Sequence, residues 1–135
     1  MRLNKKKVSF LISGKGSNLC KILVNNFKNE KFFVVSIISN NLISDEIKKI
    51  ERVANLKSYY FKSTDIIFSV GYMKVINNKL INKYTIINLH PSILPKYKGL
   101  MTQKRMLINN EKEFGFTIHK VSKDLDSGDI ISQKR

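Results

Sequence analysis

Little in this chain supports covalent cross-links, thiol chemistry or a membrane span. Cys20 is the only cysteine among 135 residues. A single cysteine excludes an intrachain disulfide and a cysteine cluster for zinc. It falls in the apolar pattern of an expected helix and is read as an inert core thiol, since a nucleophilic thiolate needs an electropositive setting. No apolar run approaches the roughly 18 residues of a transmembrane helix. The basic residues 1–7 are not followed by the apolar stretch and cleavage site of a secretory signal. The expected location is therefore the cytoplasm. Acidic residues are scarce, with 10 Asp and Glu against 25 Lys and Arg and a net charge of +15. Such a balance suits anionic small molecules as well as nucleic acid. The lysines are dispersed through a chain rich in Lys, Asn and Ile, so the charge is read as compositional bias rather than a nucleic-acid surface. Hydrophobic residues make up 42%, enough for a packed core. The length suits one domain, residues 1–135.

Proline is scarce too, and its placement is informative. Both prolines, Pro91 and Pro95, follow within five residues of His90. Before them runs the apolar stretch 85–90, read as a strand. Positions i and i+2 of a strand face one side. Asn88 and His90 can thus point at one substrate atom above a loop that the prolines stiffen. An amide donor beside an acid–base group suits acyl-type chemistry on a carbonyl.

Strand patterns occur at 8–13, 32–39, 58–61, 65–70, 85–90, 116–121 and 129–133. A helix after the first turn carries Leu19, Ile22, Leu23 and Phe27 on one stripe. A second is capped by Ser44 or Asp45. Others are expected over 74–81 and 101–109. Strands alternating with helices imply an α/β, Rossmann-like domain with a largely parallel sheet flanked by helices. Ligands bind such sheets off the carboxyl ends of the strands. One connection is anomalous: residues 62–64 are too few for a parallel crossover, which needs a dozen or more.

Gly14-Lys15-Gly16-Ser17-Asn18 lies between a strand and a helix. Glycines let the backbone turn sharply and approach a ligand, and free N–H groups at a helix start suit a phosphate. The pattern fits neither a Walker loop nor a dinucleotide fingerprint; the plainer alternative is a tight turn before a helix. The cluster Asp124-Leu125-Asp126-Ser127-Gly128-Asp129 lies between two expected strands and can return to the sheet end of His90. An acidic partner would hold that imidazole in one tautomer. Asp129 fits a solvated turn better than Asp126. His119, on an alternating strand, is a structural hydrogen-bonding candidate. Two histidines and a carboxylate could also hold a metal, but their spacing matches no helical or hairpin zinc motif. No metal is expected.

Five stretches, 11–19, 38–40, 71–74, 88–100 and 115–131, together resemble the folate-dependent formyltransferase family, most closely its glycinamide ribonucleotide branch. The central His-Pro-Ser-x-Leu-Pro run of 90–95 also occurs, with variations, in the methionyl-tRNA and sugar-nucleotide branches; the glycine turn tilts the choice. The resemblance implies transfer of a formyl group from 10-formyltetrahydrofolate, the cosubstrate, to the amine of glycinamide ribonucleotide in purine synthesis. By this likeness Asn88, His90 and Asp126 match the catalytic trio. Gly16, Ser17 and Asn18 match the phosphate turn. Met73, Lys74, Val75, Ile76, Ser122, Lys123, Asp124 and Leu125 match segments lining the folate. Thr117 and His119 fall at supporting positions. The family usually has a helix between residues 61 and 65, and a further strand and long helix after the last one here. This short form would leave apolar sheet surface to be covered by a partner, a homodimer contact or a rearranged edge. Alternative readings are formyl transfer to another amine and a non-catalytic basic binding protein.

Overall fold

The apolar run near the start of the chain forms strand β1 (Lys7–Ile12), buried from Val8 onward on both faces. The computed structural model to which it belongs describes residues 4–41, 44–54 and 63–135, with the backbone alone described for 50–54. The chain divides into two compact units, residues 1–74 and 75–135.

In the first unit β1 is followed by α1 (Ser17–Asn29), β2 (Phe33–Ser39), α2 (Asp45–Ala54) and β3 (Ile66–Val70). The strands run parallel with β1 between β2 and β3. A strand covered on both faces explains the unbroken apolar sequence. Phe10, Leu19, Leu23, Ile37, Ile47 and Ile67 form the centre of the core. Phe10 stacks on Phe68 with ring centroids 5.9 Å apart. A chain of hydroxyls crosses this core: Ser36 Oγ donates to Ser9 Oγ at 2.8 Å, and Ser9 shares a 2.6 Å bond with Thr64. Buried hydroxyls are tolerated because each finds a partner.

Two expectations shift here. Phe27 stands 50% exposed, and Asn26 takes the buried position on α1 beside Leu19 and Leu23. The reason is polar. Asn26 Oδ1 accepts the N–H groups of Lys31 and Phe32, and its Nδ2 donates to Phe32 O, so the amide staples the α1–β2 turn. Ser44 is the cap of α2, its Oγ accepting from Ile47 N at 3.3 Å. The strand expected at 58–61 lies outside the described residues.

The second unit holds α3 (Asn78–Lys83), β4 (Thr85–His90), α4 (Thr102–Ile108), β5 (Phe116–Lys120) and β6 (Ile130–Lys134). Helix α3 starts later than residue 74, because Asn77 caps it by accepting from Leu80 N at 2.9 Å. Strand β5 pairs antiparallel with both β4 and β6. The parallel sheet of the first unit and the flanking helices match the expected α/β, Rossmann-like class; the second unit adds the antiparallel strands. The β5–β6 link contains no helix, so the chain returns antiparallel.

Candidate active site

The β4–β5 register assembles the site of the second unit. Asn88 lies opposite His119 and His90 opposite Thr117, so all four side chains share one face. His90, Thr117 and His119 are buried. His119 Nδ1 faces the carbonyl of Lys120 at 2.9 Å. A carbonyl only accepts, so Nδ1 carries the proton. Asn88 Nδ2 then donates to His119 Nε2 at 3.3 Å. His119 therefore orients the Asn88 amide and leaves its second N–H for a substrate.

Asp126 arrives from the β5–β6 connection. That connection is closed by Lys120 N donating to Asp129 O at 2.9 Å. Gly128 crosses so near Lys120 that any Cβ would overlap the Lys120 carbonyl. Asp126 has φ 49°, a left-handed conformation that aspartate tolerates better than most residues. Its Oδ2 accepts from Gly99 N at 2.6 Å and stands 3.6 Å from His90 Nδ1. Its Oδ1 stands 3.7 Å from His119 Nε2. The carboxylate is thus held by a backbone N–H and lies between two imidazoles. His90 Nε2 meets the Tyr97 carbonyl at 2.8 Å, which places a proton on Nε2. The proposed trio is brought together, and the Asp129 side chain is exposed.

Below the trio, Thr117 saturates its hydroxyl. Oγ1 donates to Ser92 O at 2.7 Å and accepts from Leu94 N at 3.1 Å and Gln133 Nε2 at 3.0 Å. Gln133 also donates to Leu94 O at 2.8 Å, and Ser92 Oγ donates to Lys96 O at 2.6 Å. The proline loop is thus tied to β5 and β6. The sequence reading missed Gln133, Gly99 and Arg105. Glycine after Lys98 was a turn signal; the other two resemble ordinary surface residues until pairing is known. Tyr97 Oη donates to Glu111 Oε2 at 3.0 Å. The Glu113 backbone N–H, then the Tyr97 hydroxyl, hold the Glu111 carboxyl below its ordinary value.

In the first unit the glycine turn is built as expected. Gly16 has φ +77°, and a Cβ there would stand 3.1 Å from Ile47. No side chain caps α1, which leaves its first N–H groups to a ligand. Ser17 and Asn18 are exposed beside them. Ser13 ties nearby segments: its Oγ donates to Asn40 Oδ1 at 2.5 Å and accepts from Met73 N at 2.8 Å. The other folate candidates lie on irregular segments. Met73, Lys74 and Val75 are exposed, as are Ser122, Lys123, Asp124 and Leu125, and Ile76 is partly covered. Cys20 is half-buried, and partial burial followed by the nearby Glu46 carboxylate raises its thiol pKa. Among the described residues no group of three or more His, Cys, Asp or Glu side chains is disposed to hold a metal.

The Formyl transferase family profile matches residues 46–135. The chain is 30% identical to phosphoribosylglycinamide formyltransferase of Escherichia coli, over 93% of this chain and 70% of that protein. It is 31% identical to the trifunctional purine biosynthetic protein adenosine-3 of Gallus gallus, over 99% of this chain. It spans only 11–16% of the first trifunctional relatives it matches. The crystal structure of phosphoribosylglycinamide formyltransferase from Anaplasma phagocytophilum superposes with a TM-score of 0.83 at 29% identity, covering 96% of this chain and 71% of that one.

Proposed function

This chain belongs to the formyl transferase family, and on that footing we propose that it transfers a formyl group from 10-formyltetrahydrofolate to the amine of glycinamide ribonucleotide. The observation that carries the reading is the trio of Asn88, His90 and Asp126, with 3.6 Å between His90 and Asp126. The amine lone pair adds to the formyl carbon, and its oxygen becomes an oxyanion. The free N–H of Asn88 and the positive charge of protonated His90, whose Nε2–H stays on the Tyr97 carbonyl, stabilise that charge. The bond from the formyl carbon to the folate nitrogen then breaks. The proton lost by the amine ends on that nitrogen, relayed through His90. Asp126 holds the His90 ring from its Nδ1 side. Thr117 and His119 support the trio. Gly16, Ser17 and Asn18 take the ribose phosphate. Residues 73–76 and 122–125 line the folate.

On this reading residues 1–135 act as one catalytic domain in the cytoplasm. No described helix is long and apolar enough to cross a membrane. Strand β6 exposes Ile130 and Ile131, and a homodimer contact is our proposal for their cover. Sedimentation showing only a 15.6 kDa species would remove it.

The test follows tetrahydrofolate formation by absorbance with both substrates present. Wild-type protein is expected to form product, and His90→Ala to lose about 100-fold or more of the rate. A folded wild-type protein inactive with glycinamide ribonucleotide but active with an amino sugar nucleotide would move the acceptor. Inactivity with every amine would overturn the reading.

A further inference from the structure

The loop 97–101 alternates in hand. Tyr97, Gly99 and Met101 all have positive φ, at 57°, 89° and 57°. This alternation turns the carbonyls of Tyr97, Lys98 and Leu100 toward one guanidinium. Arg105 Nη2 donates to Tyr97 O at 3.1 Å and to Lys98 O at 2.5 Å, and its Nε donates to Leu100 O at 3.1 Å. Its guanidinium also lies 5.8 Å from the Tyr97 ring centroid. Among the described residues no carboxylate pairs with it. Its charge is spent on backbone dipoles.

The same loop holds two members of the trio. The Tyr97 carbonyl that accepts from Arg105 also takes His90 Nε2 at 2.8 Å, and Gly99 N donates to Asp126 Oδ2 at 2.6 Å. We infer that Arg105 is a positioning residue that sets the His90 ring and the Asp126 carboxylate through the 97–100 backbone. No hydrogen bond or ion pair joins it to either side chain. It holds the loop from the outside while the loop holds the acid–base pair from the inside. A lysine cannot replace it fully, because an ammonium lacks the planar fork that reaches several acceptors at once. The kinetic consequence rests on the proposed formyl transfer; the geometric one does not.

The test has two readouts on the whole chain. Ring ¹⁵N shifts report His90 directly, since the chain has two histidines, and the backbone amide shift reports Gly99. Arg105→Ala is expected to move both signals and to lower kcat by about 10- to 100-fold, with KM within about twofold. Arg105→Lys should recover part of kcat. Lys104→Ala, on the same helix and exposed, should change none of these. Folding of each variant is checked by its melting transition. Unchanged His90 and Gly99 signals in folded Arg105→Ala would overturn the inference whatever the activity. Shifts at both sites, absent from Lys104→Ala, would carry it even where the wild-type protein formed no product, a result that would remove the reaction instead.

Discussion

At the scale of single residues, the site depends on partners that are mostly backbone. Asp126 takes its short hydrogen bond from Gly99 N, and His90 gives its own to Tyr97 O. Glu111 is a second carboxylate of this kind. Its Oε1 accepts from the N–H groups of Lys112 and Glu113, at 2.9 and 3.1 Å, while Oε2 anchors the Tyr97 hydroxyl. Its carboxyl pKa is held below the ordinary value, first by the Glu113 N–H and then by Tyr97. A folded pKa below the unfolded one stabilises the protein at pH above the unfolded value. That contribution is lost as pH falls through the folded pKa. Wild-type protein should therefore melt above Glu111→Gln at pH 7, and the gap should close below about pH 4. A gap that widened on acidification would show that the carboxylate is not the stabilising form.

At the scale of elements, the second unit positions its chemistry by strand register. Two of the four pairs across β4 and β5 place candidate site residues side by side: His119 beside Asn88, Thr117 beside His90. Thr117 joins β5, β6 and the proline loop through one hydroxyl. Thr117→Val keeps the shape and removes all three bonds. It leaves the N–H of Leu94 and the carbonyl of Ser92 without that partner in a buried place. The expected cost is about 1–3 kcal/mol, read from denaturant unfolding, with kcat falling because the loop carrying Tyr97 and Gly99 loosens. A loss below about 0.5 kcal/mol would mean that water or Gln133 replaces the hydroxyl. The loop itself is costly: Tyr97 and Met101 adopt left-handed φ, at roughly 1–2 kcal/mol each. Bonds to Arg105 offset that cost.

At the scale of the whole molecule, charge dominates. A net +15 creates a field that attracts anions and raises their encounter rate. For a phosphate-bearing substrate, KM should rise severalfold between about 0.05 and 0.5 M salt as the Debye length shortens, with kcat nearly unchanged. A KM insensitive to salt would assign recognition to the short-range glycine turn alone.

The sequence by itself determined the α/β class, the types of the elements among the described residues, and the motif on which the proposed chemistry rests. Periodicity is local, so β1, α1 and β4 were readable from their own residues, and Asn88 and His90 share a strand face by two-residue spacing alone. It also singled out Asp126 among three nearby aspartates, through family resemblance. Tertiary structure decided the partners. Asn26 displaces Phe27 from the core because its amide meets backbone groups 5–6 residues along the chain. Gln133 reaches Thr117 only across paired strands. Arg105 looks like one more cation on a basic helix until the 97–101 backbone curls around it. Those roles come from hydrogen bonds between positions with no fixed spacing, and only the folded register brings such groups together.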